Sequence, residues 1–323
     1  MTFDATVVSD RPDTTDGARD STTRPAGPRR DWRLAGRVAG LFLIGILARS
    51  VAVDGSDSIL VRWLPWMQRT EVTMYFADPV RAALVPVSRD LDRGATVEDL
   101  IAGYLEGPAD GAGIVSPLPV GTSVLGVTLE GPALRVDLVG DASALAEPLA
   151  ASALHETLMS WKGVEDLTIT VNGEPIAASH RHLLFFYDEA RDMLVAEPVD
   201  TDAPRDVLAA YLDGPTTEGL VGLPPDVSLR SFEYDPSRDL LRLDFTYTDS
   251  VRVFALDHPR ATRRVLEGLI ATMTIGFPQF SGNYLDFEGH SALGLGQCAA
   301  LLRNLQVTPE VLNDERLLAR SAP

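Results

Sequence analysis

Tyr104-Leu-Glu-Gly-Pro108 and Tyr211-Leu-Asp-Gly-Pro215 stand 107 positions apart and decide the reading of this chain. Each places an aromatic residue and a leucine on the last turn of a helical pattern, then ends it with Gly-Pro. Glycine accepts the left-handed backbone that closes a helix, and proline cannot continue one. Working outward, Val72-Thr-Met-Tyr-Phe-Ala-Asp78 resembles His182-Leu-Leu-Phe-Phe-Tyr-Asp188, and Leu118-Pro-Val-Gly-Thr-Ser-Val124 parallels Leu223-Pro-Pro-Asp-Val-Ser-Leu229. Leu134-Arg-Val-Asp-Leu138 matches Leu241-Arg-Leu-Asp-Phe245, and Ile169-Thr-Val-Asn-Gly173 corresponds to Leu285-Asp-Phe-Glu-Gly289. Blocks repeating in one order with slowly drifting spacing make the chain two copies of one domain.

Each copy mixes helix and strand. Val72–Phe76 and Leu84–Val87 are rich in β-formers, and Thr96 with Asp99 forms a capping-box pattern ahead of Val97, Leu100, Ile101, Tyr104 and Leu105 at helical spacing. Val124–Leu129 and Ala133–Val139 flank Glu130-Gly131-Pro132 as a hairpin, Ala150 to Trp161 carries a second helical stripe, and Leu167–Val171 is a last strand. Copy two repeats the plan, with helices starting near Pro204 and Pro259 and stopping at Gly214-Pro215 and Gly276-Phe277-Pro278. The fold class expected is α+β: two tandem copies of a small mixed or antiparallel sheet with two helices packed on one face.

An aromatic first strand, a helix ending Leu-x-Gly-Pro, a Leu-Pro-x-Gly-Thr turn, a Val-Asp-Leu strand and a final strand ending Asn-Gly together resemble the GerMN domain family of spore germination and sporulation proteins. The resemblance covers about 71–179 and 182–290. Copy two departs from it at the turn, where Asp226-Val227 stand in place of Gly-Thr. It implies a non-enzymatic, envelope-facing module that helps assemble protein complexes.

Composition limits what else the chain could be. Its 323 residues carry a formal charge of −18, which disfavours a phosphate-tracking nucleic-acid binder. Cys298 is the single cysteine, so neither an intrachain disulfide nor a Cys-rich zinc site is expected, and Lys162 is the single lysine. Residues 1–37 hold seven arginines and six aspartates, so the acidity belongs to the remainder.

Residues 1–33 lack apolar periodicity and read as a disordered tail. Arg29, Arg30, Arg33 and Arg37 then precede the uncharged run Val38–Ala48. As a helix that run spans ~16 Å, short of a ~30 Å hydrocarbon core, and reaching Val53 includes Arg49. An uncleaved membrane anchor, a cleaved export signal and an N-terminal core helix all fit. The anchor or signal reading gives segments 34–53 (anchor or signal), 54–70 (juxtamembrane linker), 71–179 and 182–300 (the two copies, meeting near Ala177–His182) and 301–323 (C-terminal helix or tail). It places everything beyond the apolar run outside the cytoplasm, at a cell membrane crossed once. No cysteine stands near the run, so a lipid anchor there is not expected.

Motifs for chemistry are sparse. His155-Glu156-Thr-Leu-Met159 starts like a zinc-protease helix but has methionine where the second ligand must stand. His180-Arg-His182 reads as linker surface, Gly289–Gly296 as a loop, and Cys298 as a small core residue. Asp137, Asp141, Asp244 and Asp249 form no evident catalytic pair, and the repeat-equivalent Asp137 and Asp244, each two residues after an arginine, read as an ion-paired strand face. The expectation is therefore no enzyme, no cofactor and no metal. The function expected is a membrane-tethered scaffold binding an envelope protein or cell-wall polymer, and no nucleic acid. An envelope glycan-acting enzyme using Asp137 and Asp244 is the alternative. The candidate partner-binding loops follow each Gly-Pro stop and hold Asp110, Gly111, Gly113 and Ser116 in copy one and Glu218 and Gly219 in copy two, small and polar residues suited to a surface.

Overall fold

Alternation within Leu134-Arg-Val-Asp-Leu138 buries Leu134, Val136 and Leu138 on one face and leaves Arg135 exposed, the pattern of a strand covered on one side. In a computed structural model, described over residues 70–321 apart from 93, 177–180, 290–294, 303 and 310, this strand belongs to copy one. Copy one runs β1 (Thr70–Ala77), β2 (Leu84–Leu91), α1 (Val97–Glu106), β3 (Ser123–Glu130), β4 (Ala133–Val139), α2 (Ala142–Leu145), α3 (Pro148–Met159), β5 (Asp166–Val171) and β6 (Glu174–Pro175). Copy two runs β7 (His182–Asp188), β8 (Met193–Val199), α4 (Pro204–Leu212), β9 (Leu220–Val221), β10 (Leu229–Asp235), β11 (Leu240–Phe245), α5 (Asp249–Asp257), α6 (Pro259–Gly276) and β12 (Gly282–Phe287). A 3₁₀ turn at Gly296–Cys298, α7 (Ala299–Leu302) and α8 (Glu315–Ser321) follow among the described residues.

The α+β class stands, and the local signals hold. Thr96 N–H donates to Asp99 Oδ2 at 2.7 Å at the head of α1, and proline occupies the first turn of α3, α4 and α6. After α1 and α4, Gly107 and Gly214 take φ of 87° and 90°, where a side chain would be strained. The apolar stretch at β7 is buried at every position, as suits a strand covered on both faces.

The strands of each copy divide between two sheets. The first hairpins of both copies join in one five-stranded sheet, ordered β1-β2-β8-β7-β9, in which β2 and β8 run antiparallel. The remaining strands form a separate sheet in each copy, β3-β4-β5-β6 in copy one and β10-β11-β12 in copy two. In each, a parallel pair, β4 with β5 and β11 with β12, is joined through helices, as a parallel connection requires. Residues Gln68–Pro323 form one compact unit.

Helices pack against the shared sheet in matched fashion. Tyr75 N–H donates to Thr157 Oγ1 on α3 at 2.9 Å, and the repeat-equivalent Phe185 N–H donates to Thr272 Oγ1 on α6 at 3.0 Å. The hairpin turns also match. Asp78 and Asp188 are buried there and share Arg81 and Arg191: Arg81 reaches Asp188 Oδ2 at 2.6 Å, and Arg191 bonds Asp78 and, at 2.7 Å, Asp188.

Beyond the repeats, the C-terminal residues cross both copies. Asn313 is buried between β2 and β8, and Arg89 on β2 pairs with Glu315 at the start of α8. The tail and anchor readings of 1–33 and 34–53 lie outside the described residues, as does the 54–70 linker except for Thr70, which begins β1. Most of the boundary expected near Ala177–His182 also lies outside them.

Candidate partner-docking site

Once α1 ends at Gly107, the backbone has lost its helical partners and finds others at once. Ala109 N–H donates to Glu315 Oε1 at 2.9 Å. Ala112 and Ile114 turn inward and are buried, and Val115 exchanges both backbone hydrogen bonds with Ala77, at 2.9 and 3.0 Å. Asp110, Gly111 and Gly113 remain exposed, while Ser116 is half-buried and its Oγ accepts Leu118 N–H at 3.3 Å. The copy-one loop is thus a pinned segment with a short exposed crest.

The copy-two loop is pinned differently. Thr216 and Thr217 N–H groups donate to the buried Glu197 carboxylate at 2.9 and 2.8 Å, and Leu220-Val221 joins the shared sheet as β9. Glu218 and Gly219 stay exposed at the tip. A Cβ placed on Gly219 would stand 3.2 Å from an Arg81 nitrogen, so this loop of copy two lies against the hairpin turn of copy one. Among the described residues no hydrogen bond or ion pair joins Asp110 to Glu218.

The carboxylates considered for catalysis are each engaged locally. Asp137 accepts a hydrogen bond from Thr170 on the neighbouring β5. Asp244 accepts from Arg230 at 3.0 Å and from Gly289 N–H at 2.8 Å. The two lie in different sheets, so the repeat equivalence that makes them look like a pair does not bring them together. Asp141 caps α2, and hydrogen bonds from the Ser143 side chain and the Ala144 backbone hold its carboxyl below the usual range. Asp249 pairs with Arg252 at 3.2 Å within α5.

His155 is half-buried on α3 with Nδ1 3.1 Å from Glu156 Oε1. His182, expected on a linker surface, is instead buried at the start of β7 and stacks on Phe277 with centroids 4.4 Å apart. The apolar run that follows it draws the strand inward from its first residue. His180 and most of Gly289–Gly296 fall outside the described residues. Cys298 is buried, its Sγ 3.4 Å from the Pro259 carbonyl, and burial pushes its thiol up. Lys162 is exposed after α3. Among the described residues no group of three His, Cys, Asp or Glu side chains is placed to hold a metal ion.

Residues 73–177 match the family model Germane, described as sporulation and spore germination. The tandem GerMN domains of the sporulation protein GerM from Bacillus subtilis superpose with a TM-score of 0.54 at 16% identity, covering 76% of this chain and 99% of that one. This chain has the tandem GerMN fold. A putative lipoprotein from Clostridium perfringens is similar at 15% identity over 33% of this chain and 78% of that one, with a TM-score of 0.20, too loose to bear on the fold. No curated protein matches.

The family match ends at residue 177, so copy two of the GerMN pair is assigned through the internal repeat and the shared fold. Sequence reasoning missed the residues that lock the pair together: Asn313, Glu315, Arg89 and Arg264, whose guanidinium donates to the Leu312 carbonyl at 2.7 Å. Asn313 and Glu315 lie in a short stretch without periodicity, and although Arg89 and Arg264 stand on a regular strand and helix, no local signal points to their distant partners. Among the described residues no helix is long and apolar enough to cross a membrane, and the 34–53 segment lies outside them.

Proposed function

We propose that this chain is a non-enzymatic scaffold, tethered through residues 34–53 with its GerMN pair outside the cytoplasm, that binds an envelope protein or cell-wall polymer in an assembly of the sporulation or germination type. The observation that carries this reading is the contrast between the two loops and the body beneath them. The shared sheet and the C-terminal residues tie both copies into one compact unit, while Asp110, Gly111, Gly113, Glu218 and Gly219 remain exposed on loops whose ends are pinned. A rigid frame presenting short, copy-specific crests suits recognition better than turnover. The family description and the fold similarity to a sporulation protein support the same setting.

The test is cross-linking in intact envelopes of the full chain and of an Asp110→Arg, Glu218→Arg variant. Both positions are exposed, so the fold should survive, as an unchanged melting temperature would verify. Fractionation with the membrane, protease accessibility from outside, and an adduct lost in the variant are expected. A cytosolic chain, or an adduct indifferent to both substitutions, overturns the reading.

A further inference from the structure

β3 is the outermost strand of the copy-one sheet, eight residues long, and it carries only one charge, Glu130. A bare edge presents unpaired backbone groups, so proteins cover edges or guard them with charge and proline. Elsewhere among the described residues that is done. Val115 and Thr157 cover β1, while β9 and Thr272 cover β7. Gln306 pairs along β12, and β6 is two residues long and contains Pro175. The repeat-equivalent edge, β10, carries Arg230, Glu233 and Asp235. β3 has no backbone partner on its outer side among the described residues, no proline, and a single charge at its last position.

Three of its six exposed residues are apolar. Leu125 is 71% exposed at a bulge in the β3–β4 ladder, Leu129 43% and Val124 36%. Val124, Val127 and Leu129 stand opposite Leu138, Val136 and Leu134, so the apolar row continues the core face out to the edge. Around this row the charge is mainly negative, with exposed Arg135 on β4, opposite Thr128, the cation beside it. α1, packed against β3, bears exposed Glu98, Asp99 and Glu106 and no basic residue. Glu130 and Asp141 lie close to the two ends of the strand, and residues 71–176 hold sixteen acidic side chains against five basic ones.

We infer that β3 is a strand-addition site for an extended segment of a partner protein that alternates apolar with basic side chains. Backbone pairing supplies the affinity, the Val124–Leu129 row receives the apolar side chains, and the acidic frame selects cations. A second copy of this chain would bring the same negative charge to the edge and is disfavoured for that reason. The inference deepens the scaffold reading and rests on it, with a surface distinct from the two loops.

The test uses the full chain in mild detergent and an end-blocked eight-residue peptide alternating valine with lysine. A valine–glutamate peptide and a backbone N-methylated valine–lysine peptide serve as controls. The lysine peptide should bind, protect the 123–130 amides from hydrogen exchange, and lose at least about tenfold in affinity to the Leu125→Lys, Leu129→Lys variant. Both substitutions are at exposed positions, and an unchanged melting temperature verifies the fold. Equal binding of the glutamate or N-methylated peptide, or protection confined to other strands, overturns the inference. So does a dimer of the unliganded chain that the two lysines dissolve, since a second copy would then be the occupant. An envelope adduct that persists while the peptide fails to bind sinks this inference alone, whereas absence of any adduct from the unmodified chain sinks the scaffold reading.

Discussion

Asn313 holds Leu194 as a neighbouring strand would: its Oδ1 accepts Leu194 N–H at 2.7 Å and its Nδ2 donates to the Leu194 carbonyl at 2.8 Å. The reason lies across the sheet. β2 has Pro86 at this level, and proline has no N–H to give. The Asn313 amide supplies the missing donor and also bonds the Pro86 carbonyl at 2.6 Å, while Ser88 N–H donates to the Asn313 carbonyl at 2.8 Å. One side chain from beyond the repeats thus completes the seam between the copies.

Replacing Asn313 by leucine keeps much of the volume and leaves the Leu194 N–H and two carbonyls without these partners. Each buried group left unpaired costs about 1–3 kcal/mol, so a loss of about 3 kcal/mol is expected. Thermal unfolding checks it, with the midpoint falling by about 6–12 °C for a unit of this size. A shift below about 2 °C would mean that water serves these groups equally well.

The quartet of buried Asp78 and Asp188 with half-buried Arg81 and Arg191 sets a pH dependence. Burial works against ionising Asp188, but hydrogen bonds and charges from Arg81 and Arg191 outweigh it and hold the carboxyl below its ordinary value. A depressed folded-state pKa means that the unfolded chain binds the proton more readily. The contribution is therefore present above the ordinary aspartate pKa of about 3.9 and is lost as pH falls from there through the folded value. Denaturant melts across that window should show stability dropping with acid, and Asp188→Asn should flatten this part of the profile. At neutral pH the same substitution should cost about 2–4 kcal/mol, because two arginines then share only the Asp78 charge. A profile of unchanged slope would show that the quartet does not drive it.

Gly268 on α6 marks the closest approach of helix and sheet. A Cβ there would lie 2.2 Å from the Phe185 carbonyl oxygen, a backbone atom with nowhere to move. Gly268→Ala must push α6 off β7, stretching the Phe185–Thr272 bond as well. The expected cost is above about 3 kcal/mol, although alanine is the better helix former by about 1 kcal/mol. Wild-type stability in this variant would refute the close packing.

Signals that act within a few residues were legible in the sequence. The capping box at Thr96, the Gly-Pro stops and the alternation at Leu134–Leu138 each reflect local backbone chemistry, and each appears where it was read. The Asp78–Asp188 equivalence was visible as a repeat, but not the exchange of arginines between the two turns. Pairing of β2 with β8 depends on groups over a hundred positions apart, and a strand carries no mark of its distant neighbour. Helix α5 escaped for another reason: where copy one has the four-residue α2, copy two has nine residues whose charges interrupt the apolar stripe. In the candidate loop, Asp110, Gly111 and Gly113 were rightly seen as polar and small, while the inward turn of Ala112 and Ile114 was not foreseen.

The seam also predicts how the chain behaves when cut. Residues 177–180 join β6 to β7 in sequence, and limited proteolysis near 180 is the test of tandem domains meeting there. The sheet does not depend on that connection for its contacts across β2 and β8, nor do Asn313, Arg89 with Glu315, or the Arg–Asp quartet. With an engineered protease site in place of 177–180, the two fragments should co-elute after cleavage and separate only in denaturant. Removing the clamp as well, by ending the chain before Val307, deletes both Asn313 and Glu315 while keeping Gln306 on β12. Loss of the clamp should weaken association of the cut fragments by at least about a hundredfold, the equivalent of about 3 kcal/mol. Fragments that part on cleavage with the clamp intact would show that the covalent link, rather than the seam, holds the copies together.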